Sequence, residues 1–146
     1  MNVLFTDVMT VYHYRRAADG KDSWQRTVVK GVQWRHSKKE LTVSKGIQSE
    51  ERVESVTVDF SRSYDGPAYV DPVIYSALTA GQRKSFWTLD DKQGLDIMVL
   101  GEVAEEITSE EDILRLRERY QYVVTVTGVT DNRNRLLLKH IKVVGK

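Results

Sequence analysis

Alternation of apolar and polar residues with a period of two runs through most of the chain, and only one stretch replaces it with convincing helical spacing. At 6–15, Val8, Thr10, Tyr12 and Tyr14 alternate with Met9, Val11 and His13, which predicts a strand with bulky side chains on both faces. The strand stops before Asp19 and Gly20, a pair that favours a tight turn. Over 23–36, Trp24, Val28, Val32 and Trp34 recur at even spacing on one predicted face, with Arg26 and Lys30 between them and Gly31 marking a bulge. These two stretches predict an antiparallel hairpin in which both tryptophans contribute to one packed face.

A further strand begins at Leu41, breaks near Lys45 and Gly46, and gives way to the polar run 48–52. Alternation then resumes, with Val56, Val58 and Phe60 opposite Ser55, Thr57 and Asp59. Residues 61–85 differ: they hold both prolines and show no sustained strand pattern, although Asp71 followed by Pro72 predicts a capped short helix through Val73, Ile74, Ala77 and Leu78. An irregular connection of that length either serves a function or is mobile.

Phe86 to Leu89 leads through a polar turn into 95–103, whose apolar residues fall on both faces and predict a central strand. Ser109 followed by three acids predicts a helix start with the serine accepting a first-turn amide, and Ile113, Leu116 and Tyr120 share its apolar face. Two β-rich runs around the turn 130–134 predict a final hairpin. Tyr122, Val124 and Val126 share one face of its first arm, and Lys139 interrupts the apolar face of Leu137, Ile141 and Val143, which predicts a twist, bulge or exposed edge there. The expected fold is mostly β: a small antiparallel β-barrel or bent sandwich of six to eight strands, one domain over 1–146, with a helix at about 109–120 before the C-terminal hairpin and a long irregular loop at about 61–85.

Composition removes several classes of chemistry. There is no cysteine, so disulfides, thiolate metal sites and cysteine nucleophiles are excluded. No apolar run approaches the ~20 residues needed to span a bilayer, and the first residues lack the pattern of a signal peptide, so no membrane partner is expected. The net charge of +1 conceals an asymmetry: basic over acidic residues number 9 to 4 in 1–46, 5 to 15 in 47–112, and 8 to 2 in 113–146. Arg15, Arg16, Lys21, Lys38 and Lys39 form a candidate basic surface, and Glu102, Glu105, Glu106, Glu110 and Glu111 a candidate acidic one, suited to pairing within the chain or between copies.

No catalytic spacing stands out. His13, His36 and His140 are scattered among strands, and no helical zinc-binding motif, nucleophile elbow, phosphate-binding glycine loop or calcium loop is present, so neither a catalytic residue nor a cofactor or metal is expected. An enzyme would need a site assembled from Asp96, Glu102 and a histidine. The basic residues of the first hairpin are interleaved with Tyr12, Tyr14, Trp24 and Trp34, the ingredients of a β-barrel that binds nucleic acid by stacking and phosphate contact, unless the tryptophans fill the core.

Taken as whole segments, the strand around Thr10, Val11 and Tyr12, WQRTVVKGVQW at 24–34, FWTL at 86–89, DIMVLGEV at 96–103, and VTVTGVTDNR followed by KHIKVVGK at the end resemble minor capsid and head-tail joining (connector) proteins of tailed phages and prophages of Gram-positive bacteria. The resemblance spans most of the chain in order and implies a non-catalytic virion component, present in the host cytoplasm before assembly, that builds a ring with copies of itself between head and tail. It further implies other phage head or tail proteins as partners and proximity to DNA without sequence preference. The long charged segment 45–54 and the extended 61–85 connection depart from that pattern. Within this reading 61–85 is the expected assembly arm, carried by Tyr64, Pro67, Tyr69, Pro72 and Tyr75.

Overall fold

The computed structural model describes the backbone of residues 6–43, 47–60, 66–134 and 139–146, and the side chains within those spans other than 37–52. Six strands close into an antiparallel barrel in the order β1-β2-β3-β8-β7-β6. They are β1 (Asp7–Arg16), β2 (Asp22–Val43), β3 (Ile47–Asp59), β6 (Ile97–Leu100), β7 (Val123–Asp131) and β8 (His140–Gly145). The β1–β2–β3 meander is closed from its other side, β6 pairing with β1 and β8 with β3.

Inside the barrel, Met9, Val11, Val32, Trp34, Val56, Val58, Met98, Val126, Ile141 and Val143 form one core. Outside it, Tyr12, Trp24, Ile97, Val99 and Val123 are covered by Val103, Ile107 and the helix α3 (Glu110–Arg119), through Ile113 and Leu116. This second layer explains why β1 and β6 are apolar on both faces. Gly145 sits where β8 meets β7 most closely: a Cβ there would lie 2.8 Å from the Thr125 carbonyl oxygen, so the end of the barrel requires the bare backbone.

Both tryptophans are buried, but on opposite faces. Asp7 pairs with Val32 and Val8 with Lys30, so Gly31, at φ 76°, is an extra residue that inverts the alternation of β2. Upstream of it Val29 faces inward and Trp24 faces α3; downstream, Val32 and Trp34 face inward.

The polar run 48–52 is strand, and Leu41 continues β2 rather than beginning a further strand; the break expected near Lys45 and Gly46 lies outside the described residues. β2 and β3 stay paired to Val43 opposite Ile47, whereas β1 accompanies β2 only as far as Val32 and β8 accompanies β3 only as far as Glu54. Residues 37–43 and 47–53 therefore form a two-stranded ribbon running beyond the barrel.

The described part of the 61–85 connection is likewise folded. It contains β4 (Ala68–Tyr69), α1 (Pro72–Ala77) and α2 (Ala80–Arg83), followed by β5 (Phe86–Trp87), which pairs in parallel with β4. Asp71 caps α1 by accepting the amides of Val73 and Ile74, and Thr79 with Gln82 forms a capping box on α2. Tyr69, Trp87 and Leu89 join the interior core, so this unit plugs the barrel end opposite the ribbon. The start of α3 also differs from expectation: Ser109 makes no side-chain cap, and Asp112 instead accepts the Thr108 amide and hydroxyl, each at 3.0 Å. Lys139 is exposed just before β8, and the register shift of this hairpin lies elsewhere, between Val126 and Gly128 of β7; Leu137 falls outside the described residues.

Candidate assembly surfaces

The ribbon begins on a tied-down root. Glu54, 5% exposed, accepts the Trp34 indole N–H at 2.9 Å and shares the same Oε2 with His36 Nδ1, while the His36 ring lies 4.2 Å from that of Tyr122. Trp34 is anchored again by its amide, which donates to Asp7 at 2.9 Å. Beyond this root the described backbone of each strand is bonded on one side, by the other strand of the ribbon.

The plug end is built differently. Asp96 is fully buried; its Oδ2 is 2.7 Å from His13 Nδ1 and accepts the Asp90 amide, and its Oδ1 accepts the Tyr14 amide. Gln25 donates to the carbonyls of Arg83 and Phe86 and accepts the Tyr75 hydroxyl, and the His13 and Tyr75 rings meet edge to face at 4.9 Å. One strand pair, β1 and β2, thus holds α1, α2 and the turn before β6.

Beside α1 lies an open cleft of about 450 Å³. Tyr69, Leu89 and Val129 line it with apolar surface, and Val73, 75% exposed, stands among its walls. Asp71, Asp90, Asp91 and Asp131 also line it, against the one lysine Lys92. All four carboxylates fix backbone: Asp71 caps α1, Asp90 accepts the Lys92 amide, Asp91 the Val129 amide and Asp131 the Arg133 amide. Asp131 is paired with Arg133 at 2.7 Å, which holds its carboxyl below the usual range, and the guanidinium lies 4.8 Å over the Tyr69 ring.

Of the proposed arm residues, Tyr69 and Tyr75 are buried in the plug, Pro67 and Pro72 are half-buried, and Tyr64 lies outside the described residues. The basic set is divided. Arg15, Arg16 and Lys21 are exposed at the β1–β2 turn, whereas Lys38 and Lys39 lie in the ribbon, about 50 Å further along β2 at ~3.3 Å per residue. The acidic set surrounds α3: Glu102, Glu106, Glu110 and Glu111 are exposed, and Glu105 accepts the Tyr120 hydroxyl at 2.9 Å and Arg119 at 3.2 Å, contacts that lower its pKa. Glu111 faces Arg115 at 3.9 Å within the same helix. His13 and Asp96 meet across the sheet, while Glu102 is exposed beyond the far end of β6.

The tryptophans offer no stacking platform, since Trp24 and Trp34 are 5% and 7% exposed and both indole N–H groups are used. The described residues hold no cluster of three or more histidine or acidic side chains arranged for a metal ion, and no helix long and apolar enough to cross a membrane. The convergence of His13 with Asp96, the ribbon and the cleft had no local signature in the sequence; the nearest signal was Gly31 within an otherwise regular strand.

No curated protein and no solved structure matches the chain. A family model does match residues 4–146, almost the whole length, and the chain therefore belongs to the family of unknown function DUF6751.

Proposed function

We propose that this chain is a structural subunit of a tailed-phage or prophage virion, a head-tail connector or minor capsid protein that assembles with copies of itself into a ring and contacts other head or tail proteins. The observation that carries the reading is the β2–β3 ribbon. A closed barrel has no edge to offer another chain, whereas the paired strands of the ribbon run on beyond it from a root fixed by Trp34, His36 and Glu54. A ring needs a contact that differs on its two sides and repeats around an axis, and a projecting arm on one end of each subunit supplies one such side. The resemblance of the strand and turn segments to connector proteins points the same way. The arm of this reading is the ribbon, and the 61–85 connection serves as its counterweight, a plug that keeps the barrel rigid. The subunit waits in the host cytoplasm and ends in the virion.

The test replaces residues 38–52 with Asn-Gly, joining Ser37 to Val53 in a two-residue hairpin. Particles produced with this variant are expected to accumulate as separate heads and tails under the electron microscope, while the variant retains the β circular dichroism of the parent. Normal tailed particles, or purified virions that contain no copy of the chain by mass spectrometry, would overturn the reading.

A further inference from the structure

The strands close in the order β1-β2-β3-β8-β7-β6, so the β1–β6 seam and the β3–β8 seam lie on opposite sides of the barrel. The first is covered: Val103, Ile107 and, from α3, Ile113 and Leu116 pack over Tyr12, Ile97 and Val99. At the second, Val56, Val58, Ile141 and Val143 fill the interior, and the residues between them face outward. Pairing lines up Gln33, Thr57, Lys142 and Thr130 in one outward row and Arg35, Ser55, Val144 and Gly128 in the next. None of these belongs to either buried cluster. Resting on the assembly reading above, we propose that this sheet face receives the α3 cover of a second copy. The contact joins two different surfaces side by side, the kind that closes into a ring or continues as a helix.

The two surfaces carry opposite charge. Arg35 and Lys142 are exposed and pair with no described acid, and the acids that bracket the face on β3, Glu54 and Asp59, are buried. Across the barrel, residues 102–119 hold seven acids and three bases, and each base is turned onto its own chain. Arg115 reaches Asp112 at 2.9 Å, Arg117 donates to the Val123 carbonyl at 2.9 Å, and Arg119 reaches Glu105 at 3.2 Å. The cover therefore presents negative charge to a neighbour.

The spacing matches as well. Glu111, Leu114 and Glu118 follow one another at helical intervals on the side of α3 away from the buried Ile113 and Leu116, and Leu114 is 62% exposed. Seven residues of helix set the two glutamates about 10 Å apart. On the sheet, Arg35 and Lys142 stand two strands and two residues apart, which is about 12 Å at ~4.8 Å per strand and ~3.4 Å per residue. Between them lie Ser55 and Thr57 of β3, whose short side chains leave a saddle between two long cations. Leu114 seats in that saddle while Glu111 and Glu118 reach the cations on either side. A nucleic acid is the poorer occupant, because these two rows hold only two cations and no aromatic ring.

The chain has no cysteine, so single thiols report the contact directly. Thr57→Cys on the sheet and Leu114→Cys on α3, one carrying a mass tag, are mixed at about 100 µM subunit, well above a micromolar Kd, and treated with a short bismaleimide. Val73→Cys, exposed on α1 at the plug end, replaces the sheet variant as control. The mixed 57–114 product should exceed the mixed 73–114 product about tenfold. Adding Glu111→Lys and Glu118→Lys to the Leu114→Cys chain should cut it about tenfold, and adding Arg35→Glu and Lys142→Glu to its partner should then restore it, a rescue that misfolding cannot produce. Equal yields of the two mixed products, no mixed product at this concentration, or loss without rescue overturn the contact. So does duplex DNA retention that Arg35→Glu with Lys142→Glu abolishes while no 57–114 product forms, which assigns the face to phosphate instead. Virions that contain the chain although the 57–114 product is absent would leave the virion role standing without this contact. A strong, rescuable product from a chain missing in virions would do the reverse.

Discussion

The ribbon and the plug are the two parts of this molecule that are not barrel wall, and they invert what their sequences suggest. The plug segment carries both prolines and lacks alternation, the marks of an irregular excursion, yet it places Tyr69, Trp87 and Leu89 in the core and is fastened through Gln25 and Asp96. The ribbon contains an unbroken run of paired residues, the mark of a regular sheet, yet it runs on past the strands that close the barrel. Irregular backbone is compatible with rigidity when its polar groups are bonded and its aromatics buried; regular pairing is compatible with an arm that projects beyond the barrel.

The sharpest way to break this comparison is Trp87→Ala. Its side chain is 4% exposed and stacks edge to face on Tyr69 at 4.9 Å, so truncation should cost about 3–5 kcal/mol in urea unfolding monitored by circular dichroism. A loss below about 1 kcal/mol would place Trp87 among ordinary surface positions and return the segment to the role of a mobile loop. Next in size is Asp96→Asn, which keeps the shape but removes the charge that faces His13 and holds the amides of Tyr14 and Asp90. Hydrogen bonds to a buried charged group of this kind are worth about 1.5–3 kcal/mol, and the same unfolding measurement should show a loss in that range. An unchanged midpoint would mean that the plug is not tethered through β6.

How much of this was legible follows from what each signal depends on. The C-terminal hairpin, the apolar face of α3 and the capped α1 were readable because turns, amphipathic spacing and the Asp71 cap act within a few residues. The two-faced burial of β1 and β6 was readable because both faces are apolar. The shared face assigned to Trp24 and Trp34 was not correct, because one extra residue at Gly31 reverses every side chain after it. The continuity of β2 from Asp22 to Val43 was missed because it rests on pairing with a distant partner strand and not on local alternation. The meeting of His13 with Asp96, 83 residues apart, and the closure of β3 on β8 are products of topology and leave no trace in local pattern.

A gentler probe sharpens the same contrast through the tyrosines. Burial pushes the Tyr69 phenol up to about 12 despite the opposing charge of Arg133, and burial likewise pushes Tyr12, under the α3 layer, up to about 12. A phenol whose pKa is raised in the folded state favours folding at every pH below its unfolded value near 10, and this contribution is lost as pH climbs from there through 12. Ultraviolet titration of the parent should therefore show a late step, reduced in Tyr69→Phe, with unfolding accelerating over the same interval. Ionisation of Tyr69 near 10 would mean that solvent reaches it and the plug stands open.

The smallest effect is expected where the ribbon is removed, and its sign matters more than its size. A two-stranded hairpin alone is marginally stable in water, so the pairing of 38–43 with 47–52 adds little to the barrel. Replacing it with Asn-Gly also shortens the connection between Ser37 and Val53, which lowers the closure entropy by about 0.6 kcal/mol for each halving of a flexible loop. The urea midpoint of this variant should stay level or rise slightly while assembly is lost. A fall in stability comparable to that of Trp87→Ala would show the ribbon to be part of the folded body, and the distinction between arm and plug would fail at the point where it is easiest to measure.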